Sequence, residues 1–224
     1  LDPHLARIGV LKGPLHGVPV LVKDQAETSF APTTFGNRAY AKYQPGTDAF
    51  VVARLIEAGA VILAKTSMCD FAAGWFSFSS ITGRTRNPYA LERDAGGSSA
   101  GTAAGLAANF GLVGVGEDTG GSIRIPASFN NLFGLRVTTG LISRSGFAPL
   151  LHCQDTPGPM ARTVRDLAKL LDVMIAYDPN DPYTAAVAQT RDAGRYERML
   201  DGACLDGLRI GVLQEGFGSE DASS

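Results

Sequence analysis

The sequence predicts an α/β protein with one sheet buried between helices, and three observations carry that expectation. Strand-like apolar runs alternate along the chain with segments of helical period, the pattern of layered sheet and helix. At 224 residues and 45% hydrophobic, the chain can bury one sizeable core. The stretch 95–116 is uncharged over 22 positions, but seven of them are glycine. It therefore reads as a buried small-residue helix running into a buried strand, and no membrane span is expected.

Taken in order, 18–22 is a short apolar strand ending at Lys23-Asp24, and Pro19 points to an edge or irregular strand. A helix over 47–58 has Thr47 as N-cap, an apolar face at Phe50, Val51, Ala53, Leu55 and Ile56, and Gly59 as its stop. A strand over 61–64 follows, after which Ser67 caps a shorter helix, with Asp70 three residues on. Residues 84–94 read as a polar turn. The helix begun at Ser99 leads into a strand over 112–115. Thr163 opens another helix, whose Val164, Leu167, Leu171, Met174 and Ile175 keep the i, i+3, i+4 spacing. Residues 177–182 form a loop, 189–198 a connector with a marginal helix, and 208–213 a last strand. The whole chain, 1–224, reads as one domain. Its opening at Leu1 and its turn-like tail over 216–224 suggest a portion of a longer chain.

Charge and cysteine usage narrow the function classes. The net charge of −2 comes without a dense Lys/Arg cluster, so direct nucleic-acid or anionic-membrane binding is not expected and small-molecule work is favoured. Asp2 and His4 stand where a signal peptide would carry basic residues. Cys69, Cys153 and Cys204 are odd in number and widely spaced, suggesting neither a disulfide framework nor a zinc site. They fit a reducing, cytoplasmic compartment. No metal or cofactor is expected, and a homo-oligomer is compatible with the sequence.

Two glycine-dense turns carry the chemistry: Ala95-Gly-Gly-Ser-Ser-Ala-Gly101 and Asp118-Thr-Gly-Gly-Ser-Ile-Arg-Ile-Pro126. Small hydroxyl residues in such turns leave backbone N–H groups open to an oxyanion, as acyl transfer requires. Gly97-Ser-Ser-Ala-Gly101 also matches a nucleophile elbow centred on Ser99, with Asp118 and His152 following in order. An elbow must cap a hydrophobic strand, however, and the polar residues 84–94 precede it. The histidines His4, His16 and His152 read as surface or packing residues. Lys23, at the end of an apolar strand, is a candidate base, since burial lowers a lysine's proton affinity; a solvated end-residue or an ion pair with Asp24 is the alternative.

Together with Gly17-Val-Pro-Val-Leu-Val-Lys-Asp24, these turns resemble the amidase signature family. The resemblance extends from about Leu15 to Leu213 and takes in Lys65-Thr-Ser-Met-Cys-Asp-Phe71, Asn87-Pro88, Phe133-Gly-Leu-Arg136 and Gly158-Pro-Met-Ala-Arg-Thr163. The separations, 75 positions from Lys23 to Ser98 and 24 from Ser98 to Ser122, agree with the family pattern. The resemblance implies a mixed sheet covered by helices on both faces and hydrolysis of a small-molecule carboxylic amide. It makes Ser122 the nucleophile, Ser98 a relay serine preceded by a cis peptide bond, and Lys23 the terminal base. Backbone N–H groups of Thr119, Gly120, Gly121 and Ser122 would line the oxyanion hole. Ser99, Asp118 and Arg124 would support it, and Phe71, Ala72 and Trp75 would form part of the acyl pocket. Two departures stand out: Ala95 replaces the proline common before the first turn, and family members continue beyond Ser224 with a part that completes the sheet and pocket. Two further functions stay open: the glutamine-hydrolysing subunit of a tRNA-dependent amidotransferase, and a non-catalytic fragment or binding module.

Overall fold

Successive residues of a strand point to opposite faces, and at Val20, Leu21 and Val22 both faces are covered: Val20 and Val22 join one apolar cluster and Leu21 another. This strand lies inside a five-stranded sheet of the computed structural model, which describes residues 11–189 and 194–214. Among the described residues the strands are β1 (Pro19–Lys23), β2 (Val61–Thr66), β3 (Phe78–Ser79), β4 (Gly83–Arg84), β5 (Arg86–Asn87), β6 (Ala90–Asp94), β7 (Val113–Glu117), β8 (Phe133–Gly134) and β9 (Pro157–Ala161). The main sheet runs β2-β1-β7-β9-β8. Strand β1 is parallel to β2 and β7, whereas β9 is antiparallel to β7 and β8, so the sheet is mixed.

Helices cover both faces. On one side α1 (Phe50–Glu57) and α4 (Val164–Met174) bury Val51, Val52, Leu55, Leu167, Leu170 and Met174 against Val20, Val22, Val113 and Val115. On the other, α2 (Ala100–Ala107) and α3 (Arg124–Phe129) bring Ala103, Leu106 and Ala127 to Leu21, Ile123 and Met160. A one-turn α5 (Tyr196–Met199) overlaps the end of the expected marginal helix. Thr163 caps α4 as expected, its side chain accepting from Asp166 N, and Gly59 follows α1 at φ 88°, a conformation that favours glycine. Among the described residues no helix is long and apolar enough to cross a membrane.

Small residues set the spacing of the second layer. A Cβ at Gly101 would lie 2.4 Å from Ser67 N, a backbone atom that cannot rotate away. Gly101→Ala is therefore expected to cost about 1 to 3 kcal/mol, read as a lowered thermal midpoint; an unchanged midpoint would show that α2 can shift.

Several expectations are corrected. Of the two readings of Pro19, the edge is corrected, because β1 is interior, and the irregular strand holds: proline occupies its first residue and a register shift follows between Val20 and Leu21. Thr47 caps nothing: α1 begins after Ala49, and the preceding segment is drawn toward residues 27–29 by Ser29 N donating to Asp48 Oδ1 (2.6 Å) and Ala49 N to Glu27 O (2.9 Å). Ser67 shares its hydroxyl with Thr85 Oγ1 (2.7 Å), and only a 3-10 turn forms at Asp70–Ala72. Asp70 accepts from Ser80 N and Asn37 Nδ2 across the fold instead.

The polar turn at 84–94 is part of two short hairpins, β3–β4 and β5–β6. The strand expected at 112–115 sits slightly later, as β7. Residues 208–213 form no strand, and Leu208, Ile210, Val212 and Leu213 are exposed; a strand needs a hydrogen-bonded neighbour, and among the described residues none pairs with them. Asp2, His4 and the tail over 216–224 lie outside the described residues.

Candidate active site

One strand end and two turns, at one end of the parallel strands, bring the motif residues together. Lys23 is the last residue of β1, Ser98 and Ser99 end the glycine turn that enters α2, and Ser122 ends the turn between β7 and α3. The Gly97–Ser98 peptide bond is cis. Lys23 Nζ, fully buried, donates to Ser98 Oγ (2.7 Å) and to Glu117 O (3.1 Å), and lies 3.5 Å from Glu117 Oε2. Ser122 is tied to the same turn by Ser99 N donating to Ser122 O (3.2 Å). Asp24 is not the partner of Lys23; it pairs with Lys65 at 3.0 Å.

Burial is the main influence on Lys23 and pushes its proton affinity below the ordinary lysine range, against the opposing pull of the Glu117 carboxylate. A lysine in this setting can present a neutral amine to a hydroxyl. Burial also raises the Glu117 carboxyl, while the Lys23 charge pulls the other way.

Asp118 braces the second turn. Its carboxylate accepts from Gly121 N (2.7 Å), Ile123 N (3.0 Å) and Arg124 N (3.3 Å), and from the Arg124 guanidinium at 3.2 Å. Arg136 Nε lies 3.4 Å away. Burial alone would raise this acid, but the Arg124 and backbone donors outweigh it and hold Asp118 below the usual carboxylate range. Asp118→Ala would orphan the buried N–H groups of Gly121 and Ile123, at about 1 to 3 kcal/mol each, measurable by urea unfolding; a total loss below about 1 kcal/mol would mean that the turn holds itself.

Of the four N–H groups expected to line an oxyanion hole, Gly121 N–H is committed to Asp118 Oδ1. Those of Thr119, Gly120 and Ser122 have no acceptor among the described residues. Ser99 Oγ donates to Glu117 O and accepts from Glu117 N, both at 3.3 Å, which makes it a brace between α2 and β7. His152 is exposed, with its ring edge-on to Tyr183, so the Ser99–Asp118–His152 elbow has no counterpart here.

A cleft of about 600 Å³ opens beside Ser122, lined also by Ala72, Trp75, Phe76, Thr119, Gly120, Leu150 and Leu151. Ala72 and Trp75, expected at the acyl pocket, line this cleft. Phe71 is not on the wall: its backbone is left-handed (φ 52°) and its ring packs edge-to-face on Tyr40. Phe76, Leu150, Leu151 and Gln154 were not foreseen, nor was Arg136 as a partner of Asp118. Glu117 was also missed, although an acid closing an otherwise uncharged strand is a signal that something must pair with it.

The Amidase family model matches residues 1–223. The chain is 42% identical to a protein of Deinococcus deserti named as a subunit of glutamyl-tRNA(Gln) amidotransferase, over 94% of this chain and 42% of that protein. The protein of the same name from Carboxydothermus hydrogenoformans is 43% identical over 97% of this chain and 44% of its own length. Among solved structures, the native peptide amidase from Stenotrophomonas maltophilia superposes with a TM-score of 0.78 at 42% identity, covering 81% of this chain and 38% of that one. The chain thus spans less than half the length of these relatives.

Proposed function

The chain belongs to the Amidase family, and from that premise we propose that it carries the catalytic core of an enzyme that hydrolyses a small-molecule carboxylic amide through an acyl-enzyme on Ser122. The observation that carries this reading is the fully buried Lys23 Nζ at 2.7 Å from Ser98 Oγ, on a turn hydrogen-bonded to Ser122 at the wall of an apolar cleft.

In this mechanism the neutral Lys23 amine takes the proton of Ser98 Oγ, Ser98 Oγ takes that of Ser122 Oγ, and Ser122 Oγ bonds to the amide carbon. The N–H groups of Thr119, Gly120 and Ser122 stabilise the resulting oxyanion, one such donor being worth about 10² to 10³ in rate. Gly121 contributes by locking the turn onto Asp118. The proton returns through Ser98 to the amide nitrogen, the C–N bond breaks, and ammonia or an amine leaves. Water then gives its proton to the same path and attacks the acyl carbon; the bond from that carbon to Ser122 Oγ breaks, the proton returns through Ser98 to Ser122 Oγ, and the acid leaves. Ala72, Trp75, Phe76, Leu150 and Leu151 favour an apolar acyl group. A reducing, cytoplasmic setting suits the three cysteines, none of which is disulfide-bonded.

A second reading makes this the glutamine-hydrolysing part of a tRNA-dependent amidotransferase, and the identity to proteins named as amidotransferase subunits favours it. Turnover of apolar primary amides and of glutamine, with and without partner proteins and charged tRNA, separates the two. Apolar amide turnover by the protein alone supports the first; glutaminase activity that appears only with partners and tRNA supports the second. A folded protein inert in both assays would leave a binding module.

A further inference from the structure

Glu117 is fully buried, ends β7, and is used by no step above. Its position is closely determined. Oε1 accepts from Thr156 N (3.4 Å) and lies 3.1 Å from Thr119 Oγ1, Oε2 lies 3.5 Å from Lys23 Nζ, and the backbone oxygen accepts from Lys23 Nζ as well. One residue thus grips the lysine by main chain and side chain, while the same amine donates to Ser98 Oγ.

We propose that Glu117 is a positioning residue for the general base, its carboxylate holding Lys23 Nζ on Ser98 and stabilising the ammonium that forms when Lys23 accepts the Ser98 proton. This rests on the Lys23–Ser98–Ser122 reading. In the step, one proton moves from Ser98 Oγ to Lys23 Nζ, and none moves to or from Glu117. Charge created at a buried site is offset by a fixed opposite charge, which counts for more there than at the surface.

The other charged and titratable groups do not replace it. Asp118, on the same turn, is saturated by Arg124 and backbone donors; Asp155, before β9, accepts from Thr119 Oγ1 (2.6 Å), Leu150 N (2.8 Å) and Leu151 N (3.0 Å). Cys69 faces Lys23 as a thiol that burial keeps protonated. Arg144 and His152 share a small cavity with Glu117, Gln25 and Asp155, where the guanidinium is paired with Asp181.

Because the catalytic lysine must be neutral, activity rises as pH climbs through its pKa, and a nearby carboxylate moves that rise to higher pH. The test is the pH profile of kcat/KM for Glu117→Gln, which keeps size and removes charge, and Glu117→Asp, which withdraws the charge by one methylene. Each is checked for fold by circular dichroism, with Lys23→Ala as control. The expected result is an acid limb lowered by about 1 to 3 pH units in Glu117→Gln and by less in Glu117→Asp. A wild-type limb in folded Glu117→Gln, with any rate loss uniform in pH, overturns the proposal, because a purely structural Glu117 would give that outcome. Wild-type turnover by Lys23→Ala would sink the triad reading itself and is distinguishable from both.

Discussion

Ser122→Ala is expected to lower kcat/KM for amide hydrolysis by about 10⁴-fold or more while leaving the fold intact. The side chain is nearly buried at the cleft wall, and alanine fits its space. The two neighbouring serines cannot stand in for it. Ser98 Oγ is buried against Lys23, and Ser99 Oγ is bound to the Glu117 main chain on both sides. Ser99→Ala should accordingly retain turnover to within about tenfold, since it loses a brace and no reacting atom. Substantial activity in Ser122→Ala, or complete loss in Ser99→Ala with the fold preserved, would return the nucleophile to the elbow-like serine.

Lys23→Ala is expected to lose both chemistry and stability. Without the base, turnover near neutral pH should fall by about 10² to 10⁴-fold. Removing the long buried side chain leaves a cavity beside Glu117, at a cost of about 2 to 5 kcal/mol, so urea unfolding should show a matching loss. The pH dependence has a definite sign. With Lys23 gone, the folded state holds the Glu117 proton more tightly than the unfolded chain does. Stability of the variant should therefore fall as pH rises from the ordinary carboxyl value of 4.5. In the wild type, Lys23 itself acts oppositely: its folded pKa is below 10.5, the unfolded chain binds more protons in that window, and its contribution grows as pH rises toward 10.5. Lys23→Met, which refills the space, separates lost packing from lost chemistry; recovered stability with the same kinetic defect is the expected outcome.

The sequence was most informative where a local rule and a long apolar segment agree. The periodicity of 164–174 and the valine-leucine alternation of 20–22 placed α4 and β1, and the helices do lie on both faces of a mixed sheet. The glycine turns and Lys23 pointed to residues that converge from positions 75 apart. What was not legible is long-range. Strand β9 contains Pro157 and Pro159, which argue against a strand locally, yet it pairs with both β7 and β8. Glu117 meets Lys23 across 94 positions, and no periodicity encodes that partner. Gly121 was expected to serve the oxyanion hole because glycine opens the backbone; its N–H goes to Asp118, a choice made by turn geometry. The apolar residues over 208–213 have strand-forming composition but no neighbour to pair with among the described residues.

The chemistry turns on which hydroxyl is the nucleophile. The direct measurement is reaction of the folded protein with a fluorophosphonate probe, followed by peptide mass spectrometry to locate the adduct, in wild type and in Lys23→Met. A single adduct on Ser122, formed far more slowly without the lysine, is the predicted result. An adduct on Ser98 or Ser99, or labelling of Ser122 at the same rate in Lys23→Met, would contradict it.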